Sequence, residues 1–107
     1  MDKRKFVRFN VDLPVRYRVL ESLGPYKITS TEDMCENGIR INLPEYFEPG
    51  TILELTINIP DQSRPIATIG RIVWVKKDLF SDAYTSGLSL VHIKELDKEK
   101  FYQYALL

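Results

Sequence analysis

The chain of 107 residues is poor in the residue types that most often announce chemistry: it has one cysteine (Cys35), one histidine (His92) and one tryptophan (Trp74). A lone cysteine excludes an internal disulfide framework, and one thiol with one imidazole is too small a set of soft ligands for zinc, so no metal is expected. No Gly-rich phosphate loop and no nucleophile arrangement occurs, and His92 has no sequence partner that would make it a base or a ligand, so no catalysis and no cofactor is expected. The opening is charged rather than apolar, and no apolar run is long enough to span a bilayer. Neither a secretion signal nor membrane insertion is therefore expected, and the expected location is the cytoplasm. Net charge is also missing: 15 basic and 15 acidic side chains cancel, which argues against a nucleic-acid polymer as partner.

What is present is enough for one compact domain. Hydrophobic residues make up 44% and aromatics 11%, sufficient for a modest core. The neutral total hides an asymmetry. Residues 1–20 hold Lys3, Arg4, Lys5, Arg8, Arg16 and Arg18 against Asp2 and Asp12, so this stretch is +4 and the remainder −4. A small anion suits such a front.

The dominant period is two. Leu53, Leu55, Ile57 and Ile59 alternate with Glu54, Thr56 and Asn58, the pattern of a half-buried strand. Val15, Tyr17 and Val19 alternate likewise with Arg16 and Arg18, and Ile39, Ile41 and Leu43 with Arg40 and Asn42. Weaker strands are expected over 26–31 and 84–91. A longer one over 66–75 contains Gly70, where a bulge or a close approach is expected. Turn residues cluster at 23–25, 48–50, 60–63 and 78–83. After Val91 the spacing of Ile93, Leu96, Phe101, Tyr104 and Ala105 is helical, with Asp97 placed to cap. The spread tyrosines read as packing residues. Closely spaced antiparallel strands with a terminal helix predict a mainly β fold: a small six-stranded antiparallel β-barrel with a C-terminal α-helix, closure removing exposed sheet edges. A single domain over 1–107 is expected, with a flexible N-terminal arm over 1–11, the barrel over 12–92 and the helix over 94–107.

Two clusters stand out against this frame. Arg4 and Arg8 would lie with Cβ atoms roughly 6 Å apart on a helix or with Cα atoms roughly 13 Å apart if extended. Phe6, Val7 and Phe9 are poor helix formers and nothing caps them, so an irregular or extended arm is expected. Its ordinary reading is a solvated basic terminus. Its chemical reading is an anion grip, since the arginine fork matches both a phosphate and the O6/N7 edge of guanine. The second cluster, Asp33-Met-Cys-Glu-Asn-Gly38, falls between two expected strands and reads most simply as a hairpin turn. A carboxylate there can also accept from N1–H and the N2 amine of guanine, and Gly38 would let backbone come close to a ligand.

Taken together, the clusters resemble those of the PilZ domain, the bacterial receptor module for cyclic di-GMP. Arg4 and Arg8 match the family's two arginines with three residues between them. Asp33 and Gly38 match its second motif, with Cys35 where serine is usual. Asp12-Leu-Pro-Val-Arg16, Pro49-Gly50, Gly70-Arg-Ile-Val-Trp74 and Gly87-Leu-Ser-Leu90 extend the likeness over nearly the whole chain. The resemblance implies the same barrel and helix, non-catalytic binding of cyclic di-GMP, and an arm ordered by ligand that signals to a downstream protein partner. It implies that Arg4 and Arg8 contact phosphate and the guanine Hoogsteen edge and that Asp33 reads the other edge. Cys35 would stand in for a polar contact and Gly38 would shape the turn. It also places Trp74 where some relatives stack an aromatic on guanine, and Lys3 where a further phosphate contact is made. The alternative is a degenerate PilZ-like domain that has lost the nucleotide and acts as a protein-interaction adaptor, which Cys35 motivates. A barrel for single-stranded nucleic acid is a third reading, disfavoured by the neutral charge.

Overall fold

The computed structural model describes residues 9–10, 12–34, 38–60, 64–92 and 99. Seven strands occur in it: β1 (Phe9–Asn10), β2 (Pro14–Val19), β3 (Lys27–Met34), β4 (Gly38–Leu43), β5 (Ile52–Ile57), β6 (Ile66–Lys77) and β7 (Tyr84–His92). All pairings are antiparallel. β3, β2, β5, β6, β7 and β4 follow one another, and β4 pairs back onto β3, closing a six-stranded antiparallel barrel. The two-residue β1 adds to β3 beyond the reach of β2, with Phe9 opposite Met34 and Asn10 opposite Asp33.

Alternation dictates the core as the sequence pattern requires. Leu53, Leu55, Ile57 and Ile59 are buried, as are Val15, Tyr17, Ile39, Ile41 and Leu43. Leu13, Met34, Ile66, Ile72 and Leu88 complete the interior, with Phe47 and Val75 packed against it. Tyr17 meets Phe47 edge to face, the ring centroids 6.4 Å apart. Its hydroxyl is buried without a hydrogen-bond partner, and burial first, then the charge of Glu45, pushes its pKa up to about 12.

Between β2 and β3 the chain turns at Leu20 and Glu21, ahead of the expected 23–25, where only Gly24 bends; the turn expected over 48–50 falls at Pro49 and Gly50, and Gly50 has φ 96°, a conformation that side-chain-bearing residues avoid. In β6 the register shifts between Ile69 and Gly70 and again between Ile72 and Trp74. At Gly70 the close approach is found, since a Cβ there would stand 2.9 Å from Leu55 Cδ1, while the extra residue at the first shift, Val91, belongs to β7 rather than to the glycine's own strand. The expected turn over 61–63 lies outside the described residues. So does the helix expected over 94–107, apart from Glu99. No helix among the described residues is long and apolar enough to cross a membrane.

Candidate functional site

The hairpin connection falls within the cluster 33–38 but is narrower than it. β3 continues through Asp33 to Met34, and β4 begins at Gly38, so the acid belongs to a strand. Beside it lies a bulge. Thr31 pairs with Ile41 and Asp33 with Arg40, leaving Glu32 as the extra residue. A bulge sets two residues of one strand opposite one of the other, and here Glu32 and Asp33 both confront Arg40. Arg40 Nη2 lies 2.7 Å from Asp33 Oδ2, and Nε lies 3.2 Å from Glu32 Oε2. The first is a charge-assisted contact to a carboxylate whose side chain is only 7% exposed. The second is an ion pair without hydrogen-bond alignment, since Arg40 Nε is buried with no acceptor in line.

Arg40 stands between the core residues Ile39 and Ile41, so it and Asp33 face the outside of the barrel. From there one row of cross-strand partners runs around the wall: Asn10 with Asp33, Asp33 with Arg40, Arg40 with Gly87, and Gly87 with Trp74. Trp74 lies partly exposed on this face. Its indole fills the space a side chain at Gly87 would need, for a Cβ there would fall 2.2 Å from Nε1. The extra residue Val73 in β6 is what turns Trp74 outward. Gly38 begins β4 opposite Ser89. Its missing side chain admits β7 rather than leaving open space, since a Cβ would stand 2.5 Å from the Leu88 carbonyl oxygen.

Beside Trp74 the β6–β7 hairpin overhangs a cleft of about 300 Å³, lined among others by Glu32, Arg40, Trp74, Lys76, Phe80 and Thr85. The hairpin is shaped by Asp78, which accepts from the Phe80 N–H at 2.9 Å and from the Ser81 hydroxyl at 3.0 Å. Those two bonds, the Phe80 N–H first, hold its carboxyl below the ordinary aspartate range. Below the cleft the Thr85 hydroxyl donates to Asn42 Oδ1 at 3.1 Å, tying β7 to β4.

Of the residues singled out in the sequence, Asp33, Gly38 and Trp74 therefore share one outer face. Lys3, Arg4, Arg8 and Cys35 lie outside the described residues, as does the side chain of His92. Sequence reasoning missed Glu32, Arg40, Lys76 and Phe80. Arg40 was legible only as an outward strand position. A tight hairpin pairing Met34 with Ile39 would have set it opposite Asp33, but nothing local announces the bulge. Among the described residues no group of three or more histidine, cysteine, aspartate or glutamate side chains is placed to hold a metal.

The PilZ domain family matches residues 2–106. No curated protein sequence matches the chain. Among solved structures it is similar to the Bacillus subtilis inhibitor of motility, MotI/DgrA, with TM-score 0.82 and 24% identity over 99% of this chain and 51% of that one. The PilZ domain of Escherichia coli YcgR with c-di-GMP has TM-score 0.69 and 11% identity over 98% of this chain and 90% of that one. The K. pneumonia MrkH–c-di-GMP complex has TM-score 0.71 and 13% identity over 99% and 51%. The chain thus spans about half the length of MotI/DgrA and of MrkH. With the family matching all but the extreme ends and the closed barrel agreeing with it, the chain belongs to the PilZ family, whose domains are non-catalytic cyclic di-GMP receptors.

Proposed function

We propose that this chain is a cyclic di-GMP receptor that holds the dinucleotide between its N-terminal leader and the outer barrel wall at Asp33. The observation that carries the reading is the row from Asn10 through Asp33, Arg40 and Gly87 to Trp74. β1 enters the fold on the strand that bears the acid. Arg8 precedes Asn10 by two residues, so covalent geometry alone keeps its Cα within about 7 Å of Asn10, whatever the leader's conformation. Arginines and a carboxylate thereby converge on one wall. Arg8 and Arg4 grip phosphate and the O6/N7 edge of guanine, with Lys3 adding charge. Asp33 accepts from N1–H and the N2 amine. Trp74 offers a flat face to a base, and Cys35 replaces a hydroxyl contact by a weaker thiol one.

No bond is made or broken, so the output is a change of shape. A leader fixed by ligand charge forms a surface absent without ligand, and a downstream protein that binds only the ordered form is thereby switched. The protein works in the cytoplasm in this reading.

Isothermal titration with cyclic di-GMP, with GTP as control, tests it. The chain binds with micromolar or tighter affinity, and Arg8→Ala and Asp33→Ala each lose about 2 to 5 kcal/mol, roughly thirtyfold or more. Wild-type-like binding by both variants removes the site. Absence of heat with the unsubstituted chain favours the second reading, an adaptor that has lost the nucleotide, for which Cys35 in the serine position is the motive.

A further inference from the structure

We propose that Arg40 is a positioning residue for this site: clasped between Glu32 and Asp33 at the β3 bulge, it holds the Asp33 carboxylate in place, and so sets selectivity for guanine. The inference rests on the cyclic di-GMP reading above. Asp33 is 5% exposed, so its carboxylate depends on a compensating charge from the protein rather than on water. Arg40 Nη2, 2.7 Å from Oδ2, supplies it. The bulge is what makes the clasp possible, because without the extra residue Glu32 and Asp33 would alternate between the two faces of the sheet. Glu32, 3.2 Å from Nε but out of hydrogen-bond line, steadies the guanidinium without exhausting its donors. A carboxylate is an acceptor with about four positions, of which Arg40 Nη2 takes one, and the paired N1–H and N2 donors of guanine suit such a group. Adenine presents no such donor pair. A carboxylate that is swung aside therefore costs guanine binding more than adenine binding.

The test is a double-mutant cycle read by titration with cyclic di-GMP and with its adenine counterpart, cyclic di-AMP. Arg40→Ala lowers affinity for the guanine ligand roughly tenfold or more and shrinks the preference over the adenine ligand by a similar factor. Arg40→Lys, which keeps a cation, recovers part of both. In an Asp33→Ala background, Arg40→Ala changes affinity by less than about threefold, because the group it positions is gone. Thermal unfolding of each variant accompanies the titrations, and if Arg40→Ala is unfolded, Arg40→Gln and Arg40→Lys carry the cycle. Losses that add across the cycle, or an unchanged guanine preference in the Arg40 variants, overturn the positioning role while leaving the receptor reading intact. No binding by the unsubstituted chain overturns both.

Discussion

Two glycines on the site's face make opposite predictions when each receives one methyl group. At Gly38 the new Cβ would stand 2.5 Å from the Leu88 carbonyl oxygen, whereas real Cβ contacts essentially never fall under 3.0 Å. The obstacle is backbone, so β4 and β7 must separate by about half an ångström at the residue whose side chain belongs to the core. Overpacking of this kind costs about 1 to 3 kcal/mol, which at an ordinary slope moves a urea midpoint by roughly 1 M. At Gly87 the Cβ would be closer still to its neighbour, 2.2 Å, but that neighbour is the indole of Trp74, a side chain 37% exposed. It can rotate into solvent for about 1 kcal/mol. Trp74 is the chain's one tryptophan, so native fluorescence reports its position directly. Gly38→Ala thus unfolds at lower urea with native emission near that of the unsubstituted chain. Gly87→Ala keeps a midpoint close to the original, shows red-shifted native emission and binds cyclic di-GMP more weakly. A Gly38→Ala protein as stable as its parent, or a Gly87→Ala protein with unmoved emission, refutes the reasoning from close approach.

Removal of the unpaired Tyr17 hydroxyl stabilises the fold: Tyr17→Phe gains about 1 kcal/mol at neutral pH in denaturant titration. Because the folded pKa is raised from 10.0 to about 12, the folded state retains a proton the unfolded chain gives up. The parent's stability does not vary with pH through this group well below pH 10 and falls as pH rises towards 12, by on the order of 2 kcal/mol relative to Tyr17→Phe; parallel pH profiles for the two proteins contradict this. Cys35→Ser restores a hydroxyl and tightens cyclic di-GMP binding by about 0.5 to 1.5 kcal/mol, up to roughly tenfold, and a weaker-binding serine variant contradicts the role given to Cys35.

Strand positions were legible because the barrel has a dry inside and a wet outside, and that asymmetry writes itself into the chain at period two. Leu53 to Ile59 and Ile39 to Leu43 carry it without interruption. Bulges interrupt it, and they are where the sequence reading falls short. Gly70 betrays the close approach of Leu55 and Leu88 by being a glycine in a strand. Glu32 and Val73 give no such sign, being residues that fit an ordinary strand, so neither the second carboxylate at Arg40 nor the outward turn of Trp74 has a local signature. Gly87 was noticed only within a motif. Its physical reason, room for the Trp74 ring, requires knowing that β6 and β7 are neighbours in that register. Long-range pairing of this kind has no local signature. The arginines of the leader were legible as chemistry but not as geometry, since spacing alone says nothing of which wall a leader meets. The register of β1 fixes only Phe9 and Asn10, beside Met34 and Asp33.

Each of β2 to β7 has a neighbour on both sides. Main-chain donors and acceptors around the ring are therefore largely consumed internally, the end of β6 beyond Ile72 pairing with β7 alone, and a partner has few places to add a strand of its own. What such a barrel can offer the outside is the chemistry of its side chains and of whatever is bound to them. In the receptor reading proposed above, the message changes with what the barrel wears, while the wall underneath stays the same.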